Sequence, residues 1–162
     1  MNISFDYNRK QVIQALRYHF FSKREIRILL IAINVFTILA AVLFYFKRVT
    51  PATFLVFSIL WMFVLLVIWN LLPNSIYKKS ETFRDSFQLS TDGNGMVLET
   101  GRGTQHWDWE RFSKYLETPF FFHLYFTANS FFLVPKDAFR DKEQEQVFRE
   151  ALKSHIGAVN RA

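Results

Sequence analysis

The sequence predicts an integral membrane protein of the α+β class: a two-helix transmembrane hairpin joined to a small antiparallel β-barrel or sandwich with a C-terminal capping helix. Three observations predict it. Residues 28–46 and 49–72 carry no charged side chain. The positive excess of the chain lies entirely in the part that contains those runs. After residue 73 continuous apolarity gives way to alternation, and the chain closes on one amphipathic stretch.

The two runs are long enough to cross a bilayer. A hydrocarbon core about 30 Å thick needs about 20 helical residues; Ile28 to Phe46 offers 19 and Pro51 to Leu72 offers 22. Leu, Ile, Val and Phe dominate both, and each favours insertion by roughly 0.3–0.6 kcal/mol. A soluble core helix rarely stays uncharged for so long. A cleaved leader is not expected either, because the first run starts late, lacks a small-residue cleavage pattern and is followed at once by a second run. Lys47, Arg48, Val49 and Thr50 connect the runs, with Pro51 suited to the first turn of the second helix. So short a loop demands antiparallel neighbours, which puts both termini on one side.

Charge selects the side. Arg9, Lys10, Arg17, Lys23, Arg24 and Arg27 precede the first run, and Lys78, Lys79 and Arg84 follow the second, against only Lys47 and Arg48 in the loop. By the positive-inside rule both termini are expected in the cytoplasm, with two spans in the cell (inner) membrane. Lys23, Arg24, Arg27, Lys78 and Lys79 are the expected membrane-interface cations, and Trp69 suits the aromatic belt at the same level. Asn34 is the one strongly polar side chain of the first span and could bond across to the second helix.

The net charge of +6 would by itself suggest nucleic acid. Split at residue 73, the picture reverses. Residues 73–162 carry 12 basic and 12 acidic side chains, and residues 1–72 carry 8 and 2. The excess is therefore a topology signal and an attraction to anionic headgroups, and nucleic acid is not an expected partner. With no cysteine, disulfides, thiolate metal sites and cysteine nucleophiles are excluded.

The soluble parts follow in order. Ile3, Phe5 and Tyr7 alternate with polar residues as a strand, and Asn8 can cap a helix with Val12, Ile13, Leu16 and Phe20 on its apolar side. That stripe could lie on headgroups or pack on the domain. Pro73-Asn74-Ser75 is expected to break the second span or mark its exit. Phe83, Phe87 and Leu89 share one parity in a strand that ends at Thr91-Asp92-Gly93-Asn94-Gly95, a tight turn. Strands from Met96 to Thr100, through Trp107 and Trp109, on to Thr118 with a bend near Glu110, across Phe120–Phe126 and over Phe131–Val134 follow. The closing helix has Val147, Phe148, Ala151, Leu152, His155 and Ile156 as its stripe, acidic residues at its start and Gly157 as its stop. The expected organisation is a cytoplasmic strand and helix over 1–27, the hairpin over 28–72 (spans 28–46 and 51–72), and a β domain over 73–162 ending in a helix over 143–156. The strand at residues 3–7 is a candidate to complete the sheet of that domain.

This order of parts, with Trp107-Asp108-Trp109-Glu110-Arg111-Phe112, Glu117-Thr118, Phe122-His123-Leu124-Tyr125 and Phe132-Leu133-Val134-Pro135-Lys136-Asp137-Ala138-Phe139, resembles the YcxB-like family of bacterial membrane proteins over nearly the whole chain. The resemblance implies a pleckstrin-homology-like cytoplasmic domain. It brings no catalytic residues with it.

Chemistry-bearing constellations are few. The four histidines (His19, His106, His123 and His155) fall in four separate segments with no metal-ligand spacing. No Gly-x-Ser-x-Gly elbow is present, and Asp92-Gly93-Asn94-Gly95 lacks the spaced acids of a calcium loop. No catalytic residue, cofactor or metal is therefore assigned, and an enzyme is not expected. Trp107, Trp109 and Lys136 are candidates for partner binding, weighed against core packing for the indoles and a solvated turn for the lysine. The reading that results is a membrane-anchored cytoplasmic interaction module binding a protein partner or lipid headgroups, with self-association open. The alternative is an accessory or regulatory subunit of a larger membrane complex, contacted through the hairpin.

Overall fold

The computed structural model describes residues 1–156; Gly157, the expected helix stop, lies outside the described residues. The chain divides into two compact units, one formed by Met1–Ala15 with the chain from Ser80 onward, the other by Leu16–Lys79.

The first unit contains two antiparallel sheets. Strand β1 (Asn2–Asp6) pairs with β2 (Ser86–Thr91), with Ile3 opposite Leu89 and Phe5 opposite Phe87. The N-terminal strand thus joins the sheet built after the apolar runs. Strands β3 (Gly95–Thr100) and β4 (Gly103–Asp108) extend the order to β1-β2-β3-β4. The second sheet has the order β5-β6-β7, from β5 (Lys114–Glu117), β6 (Phe121–Tyr125) and β7 (Phe131–Pro135). The barrel alternative is not what forms. A 3₁₀ turn at Trp109–Arg111 ends pairing after Asp108, so β5 opens a new sheet instead of extending the first.

Inward-facing residues of both sheets make one core: Ile3, Phe5, Phe87, Leu89, Met96 and Trp107 from the first, with Phe122, Leu124, Phe132 and Val134 from the second. Helix α5 (Lys142–His155) adds Phe148 and Leu152, followed by Ile156. Asp141 caps it by accepting the Gln144 N–H at 2.7 Å. Its buried stripe is narrower than the sequence suggests: Val147 stands 55% exposed, because residues 148, 152 and 156 at strict i, i+4 spacing already fill the contact.

Two turns depend on local chemistry. Asp92 Oδ1 accepts the Asn94 and Gly95 N–H groups at 2.9 and 2.8 Å, and these bonds hold its carboxyl below the usual range. Gly95 is required because a Cβ there would lie 2.3 Å from the Trp107 carbonyl oxygen. Phe83, expected in the strand before that turn, sits in a 3₁₀ turn (Glu81–Arg84) with its ring edge-on to Tyr7. Tyr7 is half-buried, its hydroxyl donates to the Leu133 carbonyl at 2.6 Å, and desolvation of that hydroxyl pushes its pKa well up. Asn8 accepts the Lys10 N–H to start helix α1 (Arg9–Ser22), which ends in the second unit. Val12, Leu16 and Phe20 are buried, so the α1 stripe is covered by protein and does not lie open.

The second unit is a helical hairpin. Helix α2 (Arg24–Tyr45) and helix α3 (Pro51–Leu66) run antiparallel, with Phe44 stacked on Phe54 near the tip. The tip closes α2 with a Schellman motif: Lys47 N–H donates to Phe44 O and Arg48 N–H to Leu43 O, and Lys47 takes the left-handed φ of 56°. Thr50 caps α3 and Pro51 occupies its first turn, as expected. Midway along, Trp61 Nε1 donates to Asn34 Oδ1 at 3.3 Å, the cross-helix bond anticipated for Asn34. Arg24–Tyr45 and the continuous helical stretch Pro51–Lys79 that α3 begins are long and apolar enough to cross a membrane, and their large side chains are open, with Ile31 65% and Phe63 58% exposed.

Candidate functional site

The second helix of the hairpin does not stop at Pro73. It passes through a π-helical turn (Val67–Leu71) into helix α4 (Leu72–Lys79). The reason is local. Proline has no N–H and its ring crowds the carbonyl four residues back, which here is Trp69. The backbone widens, and the Leu72 N–H reaches the Val67 carbonyl five residues earlier. Asn74 helps the continuation by donating from its side chain to the Asn70 carbonyl at 2.8 Å.

This leaves the Trp69 carbonyl without its helical donor. Arg17 supplies one: its Nε donates to Trp69 O at 2.9 Å, while its guanidinium lies 4.7 Å from the Trp69 ring centroid. Phe21, one helical turn beyond Arg17, packs on the same indole at 5.6 Å. Of the interface residues expected from sequence, Trp69 is thus brought into a defined constellation. Since Phe44 faces Phe54 and Asn34 faces Trp61, Lys23, Arg24 and Arg27 at the start of α2 lie at the same end of the hairpin as Trp69, Lys78 and Lys79. Arg17 is the residue the sequence reading counted only as charge. The signal that could have found it is a proline four residues after Trp69, which removes the α-helical donor to the Trp69 carbonyl.

The first unit holds a second constellation, on one flank of Phe122. Glu117 of β5 accepts from Lys136 Nζ at 2.7 Å, and from Arg149 Nε at 3.1 Å and Nη2 at 2.9 Å. Glu145, one turn before Arg149 on α5, bonds the same guanidinium and lies 3.6 Å from Lys136. All four side chains are only 17–19% exposed. Burial pushes the Glu117 carboxyl up, but the hydrogen bonds and charges of Arg149 and Lys136 outweigh it and hold the carboxyl below its usual value. Both cations also sit over the Phe122 ring, at 4.9 Å for Lys136 and 5.7 Å for Arg149. Lys136 is therefore a clamp between β5, the end of β7 and α5 in this structure, where the sequence offered a partner contact or a solvated turn.

The two candidate indoles are core residues. Trp107 packs edge-on to Phe112, Phe126 and Phe132 at 5.1–6.1 Å. Trp109 is 5% exposed and stacks on His155 at 5.1 Å with a 4° interplanar angle. Its Nε1 is buried with no hydrogen-bond partner among the described residues. Beside this stack is an open groove of about 470 Å³ that Asp108, Glu110 and Ser154 help to line. Of the other histidines, His106 pairs with Asp108 at 3.2 Å, and His123 is buried beside Thr118.

Two antiparallel sheets, a closing helix and a two-helix apolar hairpin define the class as α+β. Within it, residues 92–152 match the family described as YcxB-like protein, the family that the sequence motifs resemble. The match covers less than half of the chain, where the motif resemblance ran over nearly all of it, and it includes every member of the Glu117–Lys136–Glu145–Arg149 cluster. No curated protein and no solved structure matches the chain.

Proposed function

We propose that this protein is an interaction module anchored in the cell membrane by the hairpin, with both termini and the two-sheet unit in the cytoplasm. The observation that carries the reading is the hairpin itself. Two antiparallel helices leave most of their large apolar side chains exposed. Within Leu16–Lys79, Arg17, Lys23, Arg24, Arg27, Lys78 and Lys79 gather at one end and only Lys47 and Arg48 at the other, which supports the orientation. Seven strands in sheets of four and three, followed by one C-terminal helix, support a pleckstrin-homology-like reading of the cytoplasmic unit. Such a unit presents a surface and not a reaction centre; it would hold a protein partner or headgroups close to the bilayer.

The absence of native cysteine makes the topology directly testable. In intact cells a membrane-impermeant maleimide should label T50C at the hairpin tip and leave N129C in the β6–β7 turn unlabelled until the membrane is opened. Labelling of N129C from outside would sink the orientation. For the interaction itself, detergent pull-down with mass spectrometry should recover a stoichiometric companion. Recovery of the protein alone as a monomer counts against an interaction module.

A further inference from the structure

We propose that Arg17, held on Trp69, is a seat for the phosphate of an anionic phospholipid. The inference rests on the membrane-anchored reading above and deepens it by naming a ligand and a residue.

Three features of the geometry point there. The guanidinium is held at two points: its Nε is committed to the Trp69 carbonyl at 2.9 Å and its central carbon lies over the indole, 4.7 Å from the ring centroid, so less rotamer entropy remains to be lost on binding. It has no counter-ion among the described residues. No carboxylate pairs with Arg17, and its two terminal nitrogens make no hydrogen bond among the described residues, although they form the planar fork that matches a phosphate. Finally, it stands where a phosphate would be. Trp69 is three residues before the apolar run ends at Leu72, a level at which interfacial tryptophan meets headgroups.

The surroundings choose the class of lipid. Between Leu16 and Lys79 there are eight basic side chains and one acid, Glu25, and six of the basic ones lie at this end. A zwitterionic headgroup would bring its own cation into that field with no net negative charge, whereas an anionic one such as phosphatidylglycerol brings a net negative charge. Pro73 is the origin of the arrangement, because it orphans the carbonyl that orients Arg17.

The test uses the full chain in nanodiscs of phosphatidylcholine containing phosphatidylglycerol, with retained lipid counted by native mass spectrometry after detergent exchange. The wild type should retain phosphatidylglycerol selectively, and R17Q should lower that retention about tenfold, the equivalent of one charge-assisted contact. R17K, which keeps a charge but loses the fork and the Nε anchor, should fall between them. K23Q should lose much less than R17Q. Equal retention in R17Q and wild type, or equal losses in R17Q and K23Q, would overturn the seat, the latter by showing a diffuse basic patch. Displacement of the retained species by excess inorganic phosphate would overturn the lipid as its source. Carbonate extraction of the cell membranes in which the protein is expressed separates the two levels: if the wild type is extracted, the anchor reading fails; if it resists extraction and the Arg17 variants retain lipid unchanged, only the seat fails.

Discussion

Replacing Glu117 by Gln should destabilise the two-sheet unit by about 2 kcal/mol, and the number follows from the geometry of its clamp. The carboxylate takes bonds from two cations that are 17% exposed, so its neutralisation leaves Lys136 and Arg149 facing one another with only Glu145 between them. Removing one partner of a fully buried ion pair costs about 3–5 kcal/mol. Residual solvent, the surviving Glu145 and the one acceptor oxygen of Gln bring the cost down to about 2. For a unit of this size that corresponds to a fall in Tm of about 8–16 °C. The assay is thermal unfolding of the full chain in micelles, followed by near-UV circular dichroism, to which the buried Trp107 and Trp109 contribute. The pH dependence has a fixed sign. The folded Glu117 carboxyl lies below its unfolded value, so its contribution is complete above about pH 4.3 and disappears as pH falls through the lower folded-state pKa. The gap between wild type and E117Q should therefore close in acid. E117Q/K136M should be less destabilised than the two single variants summed, because one stranded cation has gone with the carboxylate. A Tm shift below about 4 °C at neutral pH would show that the cluster is a solvated surface pair worth under about 1 kcal/mol, and would refute the reasoning.

Three other perturbations test separate features. Y7F removes the donor to the Leu133 carbonyl inside a packed site and should cost about 1–2 kcal/mol in the same melt; because burial raises its pKa, Tyr7 should also stay protonated in ultraviolet titration above pH 10 for as long as the unit remains folded. N34L deletes the bond to Trp61 and should weaken the hairpin by only about 0.6 kcal/mol, read as a small loss in a steric-trap or detergent-unfolding measurement; a loss several times larger would mean that Asn34 has a role beyond pairing. K47G relieves a left-handed backbone at the tip and should stabilise the hairpin by up to about 1 kcal/mol in that measurement.

Much of this architecture is legible in the sequence because its signals are local. The uncharged runs, the Asp-Gly and Asn-Gly turn signals, the Pro51 start and the Asn34 cross-bond all depend on residues close together or on the hydrocarbon length alone. Pro73 misleads for an instructive reason. Proline usually stops a helix because its orphan carbonyl and ring clash go uncompensated, and here a π turn absorbs the clash while Arg17, 52 residues away along the chain, satisfies the carbonyl. Lys136 is hidden in the same way: its partners on β5 and α5 become neighbours only once the second sheet and α5 are assembled. The break between two sheets rests on the corner at Trp109–Arg111, where the expected bend near Glu110 does form but the alternation of Trp107 and Trp109 does not reveal that a new sheet begins after it.

The pairing of β1 with β2 has a consequence for biogenesis. Strand β1 cannot find its partner until the 79 residues between Asp6 and Ser86 have been made, so the two-sheet unit stays incomplete until the whole hairpin has been synthesised. Cutting the chain at Lys47–Arg48 would yield two half-chains, neither of which holds a whole first sheet. The five-residue β1–β2 register and the Asn34–Trp61 bond would still join them. Co-expressed separately, the halves should reassemble, as a split protein whose seam runs through both of its units.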